Sequence, residues 1–265
     1  MGSTTRDALA ASRAALAAIS GTVDLATAEQ LLSAGRIIGD SRQLQSILSD
    51  PATEPETKVA ALKAVFGSSI SAPVFGILGT VAGNRWSSED DLLAGIEELG
   101  LRAAADSAEA GTDIEGELFA FGKTVAANPE LELAISSKLG DATSKVTLIE
   151  RLLTGKVSPQ SLIVLRHLVR QPRGRRINAL VRDAAAIVAD QTGYAIATVT
   201  TAAPMTADQL ARLQAGLSAS YGRQLEVNQV VDPSLVGGVR VQIGDDVIDG
   251  SVASRLKELR LQLAG

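Results

Sequence analysis

The stretch VDPSLVGGVRVQIGDDVIDGSVASRLKELRLQL, from Val231 to Leu263, decides how the chain ends. Asp232-Pro233 opens a turn, and Gly237-Gly238 supplies backbone that tolerates positive φ. Val239, Val241 and Ile243 then alternate with Arg240 and Gln242, the pattern of a strand with one buried face. Gly244-Asp245 turns the chain into Val247-Ile248, so a hairpin is expected. Asp249, Gly250 and Ser251 lead into a helix whose buried stripe is Val252, Leu256, Leu259 and Leu263. Working upstream, RQLEVNQVV alternates with Leu225, Val227 and Val231 on one face, and AIATVTTAA is short and β-branched. Between them, Pro204 and the amphipathic TADQLARLQAGLSASYG read as a turn and a helix. Residues 193–265 are therefore expected to form a small α+β domain of the order strand-helix-strand-hairpin-helix.

Everything before Gly193 follows helical spacing, and part of it repeats. Lys58-Val59 matches Lys145-Val146, Leu44 matches Leu131, Ser71 matches Ser158 and Leu78 matches Leu165, each pair 87 residues apart. The apolar pattern agrees: Val59, Leu62, Val65 and Phe66 map onto Val146, Ile149, Leu152 and Leu153. Val74, Ile77, Leu78 and Val81 map onto Ser161, Val164, Leu165 and Leu168, broken only at Ser161. A gapless match in register and period points to duplication. Helices are expected near 5–20, 25–40, 41–49, 54–67, 71–83 and 88–108, then 113–127, 129–138, 143–154, 158–170 and 176–191. Pro55 and Pro73 suit first helical turns, and Ser88 with Glu89, Asp90 and Asp91 reads as a capped helix start. The fold class is mainly α with a small α+β C-terminal domain: two tandem helical bundles, 1–108 and 109–192, followed by 193–265. By the offset, the helix 88–108 closes the first bundle and opens the second.

Composition narrows the function. Of 265 residues, 46% are hydrophobic and 3% aromatic, so the core must be built from Ala, Leu, Val and Ile, as in packed helices. A net charge of −5 argues against a general nucleic-acid binder. The chain has no cysteine, which excludes disulfides and thiolate metal sites. The opening MGSTTRDALAASRAALAAIS lacks the apolar run of a signal peptide, and no stretch is long and apolar enough to span a bilayer. The expectation is a soluble cytoplasmic protein without direct membrane insertion.

No catalytic, cofactor-binding or metal-ligating set emerges. His167 is the only histidine and stands between Arg166 and Leu168 on an expected helix, which favours a structural role. Gly155-Lys156 lacks the rest of a phosphate loop, and Gly237-Gly238 precedes a strand rather than opening a helix. Asp245, Asp246 and Asp249 are better explained by hairpin and cap duties than by a cation loop. The sharpest charge feature is the cluster Arg166, Arg170, Arg173, Arg175 and Arg176, which reads either as a contact for an anionic partner or as a solvated helix end. Trp86 lies at the equivalent corner of the first repeat and reads as a packing anchor or an interface residue.

Several of these pieces resemble one family, the delta subunit of F-type ATP synthases, the bacterial counterpart of the mitochondrial oligomycin-sensitivity-conferring protein. The resemblance is carried by the turn Asp232, Pro233, Leu235, Gly237 and Gly238 and by the step Ile248, Asp249, Gly250 and Ser251. The strand, small-residue turn and helix of TTAAPMTADQLARLQAGLSASYGRQLEV are also similar, as are the Lys145 helix, the Ser158-Pro159 helix start and the Gly174-Arg175 corner. The likeness covers roughly residues 113–263. It implies a helical bundle that grips N-terminal helices of alpha subunits and a C-terminal domain that meets the far end of subunit b. It further implies one copy per complex, on the cytoplasmic face of the plasma membrane, with no cofactor and no nucleic-acid partner. An ordinary member has one bundle, so the extra copy is a departure. Extended regions of this kind resemble those of actinobacteria, where they can be fused to a subunit b; with no b-type membrane helix in this sequence, the expectation is either a stand-alone subunit or a portion excised from a longer chain. The rival reading is an unrelated helical adaptor that binds amphipathic partner helices.

Overall fold

The structure is a computed structural model and describes residues 2–109, 111–137, 141–193, 195–221, 225–243 and 246–250. The chain divides into two compact units, residues 1–188 and 189–265.

The first unit is helical. Its helices are α1 (Ser3–Ala17), α2 (Leu25–Asp40), α3 (Arg42–Ser49), α4 (Pro55–Phe66), α5 (Ala72–Gly83) and α6 (Glu89–Asp106). They continue as α7 (Ile114–Ala127), α8 (Pro129–Ser136), α9 (Ala142–Leu153), α10 (Pro159–Arg170) and α11 (Ile177–Gln191), the last running across the division. Local chemistry sets their starts. The side chains of Asp24, Ser41, Ser88, Asp113, Asp141 and Ser158 each accept a backbone N–H of the first turn. Pro55, Pro73, Pro129 and Pro159 occupy first-turn positions, where a missing N–H costs nothing.

The repeat spacing read in the sequence recurs in these bounds. Helices α3, α4 and α5 begin at 42, 55 and 72, and α8, α9 and α10 begin at 129, 142 and 159. Tertiary bonds repeat with them. The N–H of Ser71 donates to Gln30 Oε1 at 2.8 Å, and that of Ser158 donates to Glu117 Oε1 at 2.9 Å. Lys58 and Lys145, at matching positions, are both buried. Lys145 Nζ donates to the Ser137 carbonyl at 2.6 Å. Burial lowers the pKa of Lys58, and Asp50, the counterpart of Ser137, partly offsets this.

Helix α6 sits at the centre. Leu92, Leu93 and every residue from Gly95 to Ala105 are buried. It packs on α1, α2, α3 and α5 from the first repeat and on α10 from the second. The α2–α6 approach is close because Gly100 has no side chain: a Cβ there would overlap the Leu32 side chain. The Ala, Leu and Ile core anticipated from composition is found here, with Leu31, Leu32, Ile38, Leu92, Ile96 and Leu99 almost wholly inaccessible.

The second unit contains β1 (Ala195–Thr201), α12 (Ala207–Tyr221), β2 (Leu225–Val231), β3 (Val239–Ile243) and β4 (Asp246–Asp249). The strands form one mixed sheet in the order β2-β1-β3-β4. β1 runs parallel to β2, as a crossover through a helix requires, and antiparallel to β3, which pairs antiparallel with β4. Ala197, Val199, Leu217, Leu225, Val241 and Ile243 make its core, with Val227 and Val239 partly buried against it. The expected alternation on β2 and β3 therefore holds, except that Val231, at the strand end, is 41% exposed. The expected turn at Gly244-Asp245, Ser251 and the helix carrying Val252, Leu256, Leu259 and Leu263 lie outside the described residues.

Candidate functional site

Adjacent glutamates on α6 face different parts of the helical unit. Glu98 accepts from Arg102 Nε one turn along its own helix at 2.7 Å and from Arg13 Nε of α1 at 2.7 Å. Glu97 accepts from Arg175 Nη2 at 2.8 Å and also from Arg173, both on the turn after α10. His167 Nε2 of α10 stands 3.6 Å from the same carboxylate. Burial would raise the Glu97 pKa, but His167, Arg173 and Arg175 outweigh it and hold the carboxyl at about 2. Burial pushes His167 below its ordinary value against the pull of Glu97, so the imidazole is neutral at pH 7. The turn that presents both arginines carries positive φ at Arg173 (46°) and Gly174 (75°).

A cleft of about 470 Å³ opens on the other side of His167, between α2 and the α9–α10 pair. Arg166 forks across it, donating to Glu29 of α2 and Glu150 of α9, each at 3.0 Å. Arg36 of α2 and Arg170 also line it. Neither forms an ion pair among the described residues.

The five arginines singled out in sequence thus fall into three settings. Arg173 and Arg175 are bound to Glu97, Arg166 bridges two glutamates, and Arg170 and Arg176 are exposed. The Glu97–Glu98 pair and Arg36 were not foreseen. The signal for the first was two acids, with Arg102 one turn on, inside the mostly apolar LLAGIEELGLRAAA, and for the second a lone cation in SAGRIIG.

In the second unit, the residues of the C-terminal motif have structural work. Asp232 Oδ1 accepts from the Ser234 N–H at 2.9 Å and from its hydroxyl at 2.7 Å, and these bonds lower the Asp232 pKa. Pro233 and Leu235 lie within that turn, and the Leu235 N–H donates to the Asp232 carbonyl at 3.1 Å. Gly237 and Gly238 have φ of 74° and 86°, as the turn demands. Ile248 and Asp249 pair with Val241 and Arg240 across β3–β4, and the Gly250 N–H donates to the Val239 carbonyl at 3.0 Å. Val236, Val247 and Ile248 are exposed apolar residues of this unit.

Fold and site together define a mainly helical protein with a separate small mixed-sheet unit, in which glutamates and arginines join helices of the helical unit. The family model described as ATP synthase delta (OSCP) subunit matches residues 100–263. The chain belongs to that family. The ATP synthase subunit delta of Leifsonia xyli subsp. xyli is 56% identical over 265 residues, 100% of both chains. That of Pseudarthrobacter chlorophenolicus is 37% identical, again over 100% of both, and that of Acidothermus cellulolyticus is 41% identical over 89% of this chain and 87% of its own. Among solved structures, a chain of the Toxoplasma gondii mitochondrial ATP synthase hexamer aligns with 62% of this chain and 97% of its own, at 22% identity and a TM-score of 0.39. That last likeness carries no argument.

Proposed function

We propose that this chain is a non-catalytic stator subunit of an F-type ATP synthase, joining the catalytic alpha/beta head to the peripheral stalk. In this role the helical unit grips N-terminal helices of alpha subunits, and the mixed-sheet unit meets the C-terminal end of subunit b. One copy per complex, held peripherally on the cytoplasmic face of the plasma membrane, keeps the head from turning with the rotor. The observation that carries this reading is the family membership, spanning both units in relatives of equal length.

The architecture supports it. A strap that resists torque needs more than one contact, and two compact units of different construction offer two kinds of binding surface. The bundle 109–192, contiguous with 193–265, takes the family's head-binding role, and the copy 1–108 adds reach or a further attachment. Among the described residues no helix is long and apolar enough to cross a membrane, in keeping with peripheral attachment. A phosphate-tracking role is disfavoured, because three of the five clustered arginines already bind glutamates. Family membership sets aside the unrelated adaptor.

Calorimetry on the purified chain tests the proposal. An N-terminal alpha peptide and a C-terminal helix of subunit b are each expected to bind with Kd on the order of tens of micromolar or tighter. Deleting residues 195–265 should abolish the subunit b contact while helix content is kept. Absence of both interactions would sink the assignment, and retained b binding after the deletion would move that contact to the helical unit.

A further inference from the structure

The cleft between α2 and the α9–α10 pair contains cations that the chain does not neutralise. The two acids that line it, Glu29 and Glu150, are both committed to Arg166. Arg36 and Arg170 are left without a carboxylate at ion-pair distance among the described residues. Arg36 is half-buried, and burial together with Arg170 weighs against its charge, with Asp40 and Glu29 opposing. A guanidinium keeps its proton in such surroundings, so the strain is relieved by bringing an anion to it. Below these cations lie Leu32 and Ile163, buried side chains that border the same space.

We infer that this cleft docks an acidic segment of a neighbouring subunit in the assembled ATP synthase, with a carboxylate seated by Arg36 and Arg170 and an apolar side chain over Leu32 and Ile163. The inference rests on the stator reading above. Two features fix the class of occupant. A cleft of about 470 Å³ holds several side chains, and a small inorganic anion would leave its apolar floor uncovered. The charge pattern selects carboxylates, since a desolvated guanidinium gains most from a charge-assisted, bidentate partner. Because Arg166 is already paired, Arg36 and Arg170 are the residues that read the partner. His167 borders both this cleft and Glu97, so the docking surface is backed by the buried ionic joint on α6.

The absence of cysteine allows a clean test. Ser33, on the cleft wall, is replaced (Ser33→Cys) and labelled with a photoactivatable maleimide in the otherwise intact chain, which is then assembled into the ATP synthase. Irradiation is expected to join Ser33→Cys to another subunit, at a segment with two or more Asp or Glu residues within one helical turn. The adduct should fall about fivefold in an Arg36→Gln/Arg170→Gln background whose circular dichroism matches the parent. A readout without the label is the affinity of that double variant for the complex lacking this subunit, expected to be about tenfold weaker and to lose most of its salt dependence. An assembled complex with no adduct, an adduct at a segment without carboxylates, or an unchanged affinity of the double variant overturns the docking proposal alone. A wild-type chain that never enters the complex overturns the stator reading and this inference with it.

Discussion

The two copies of the helical repeat turn the same corner by different means. In the first, the chain leaves α5 and places Trp86 on α6; in the second it leaves α10 and places Arg173, 87 positions later, on the same helix. The Trp86 indole N–H donates to the Val81 carbonyl at 2.8 Å, and its ring fills the space that a Cβ at Gly95 would need. Arg173 and Arg175 reach Glu97, two residues further along α6. One lock is apolar and the other ionic, yet both fasten a corner to the shared helix. The helical plan recurs because it depends on a broad apolar pattern, whereas the corner differs because either chemistry can close it. The locks differ in what they respond to: packing is indifferent to pH, whereas a buried carboxylate holds its partners only while ionised.

Removing the apolar lock should have the largest effect. Trp86→Ala leaves a cavity beside Gly95 and removes the indole bond to the Val81 carbonyl, with an expected loss of about 3–5 kcal/mol in urea unfolding. A loss below about 1 kcal/mol would show that the ring is not the anchor of that corner.

The ionic lock comes next. Glu97→Gln strands two guanidiniums, and breaking a buried pair in this way costs about 3 kcal/mol at pH 7. Its pH dependence separates it from Trp86→Ala. The folded-state pKa of Glu97 is depressed to about 2 from its ordinary 4.5, so its contribution is complete above 4.5 and is lost as pH falls towards 2. The gap between wild type and Glu97→Gln should therefore narrow over that range, while the gap for Trp86→Ala stays constant. His167, whose folded pKa is also lowered, removes stability as pH falls below 6.5, and does so more in Glu97→Gln, where the upward pull of Glu97 is gone. Unfolding midpoints at pH 7, 5 and 3 resolve the two contributions, and a constant gap for Glu97→Gln would refute the ionic account.

The contrast between the corners also shows what the sequence could convey. Helix positions were legible because Ala-rich periodicity, first-turn prolines and Ser or Asp caps each act within a few residues. The recurring helix spacing was legible because Leu44, Lys58, Ser71 and Leu78 recur at one offset. The sheet unit was legible from alternation at Val239, Val241 and Ile243 and from the glycines of its turn. The joints were not, since they depend on which residues meet across 76 or 137 positions of chain, as Glu97 does with Arg173 and Glu29 does with Arg166. The arginine cluster was visible as a charge run, but its division into bonded and exposed members follows from acids on other helices. Arg36 was invisible for the same reason: its lack of an ion pair among the described residues is a property of the packed cleft.

The smallest expected effect sharpens the comparison at the starts of α5 and α10. Ser71 and Ser158 occupy equivalent N-cap positions, and each backbone N–H donates to a side chain 41 residues earlier, Gln30 or Glu117. The hydroxyls differ. That of Ser158 accepts from the Ser161 N–H at 3.2 Å and donates to Glu117 Oε2 at 2.6 Å, whereas the Ser71 side chain makes no capping bond. Ser158→Ala should therefore cost about 1 kcal/mol, and Ser71→Ala should stay within about 0.5 kcal/mol of wild type, because its N–H bond to Gln30 survives. Glu117→Gln gives the second copy the amide that the first already uses and removes the charge from the Ser158 hydroxyl bond. In that background Ser158→Ala should fall towards the Ser71→Ala value, as a double-mutant cycle on urea midpoints would measure. Equal costs for the two serines in wild type would mean that the caps, unlike the corners, have not diverged.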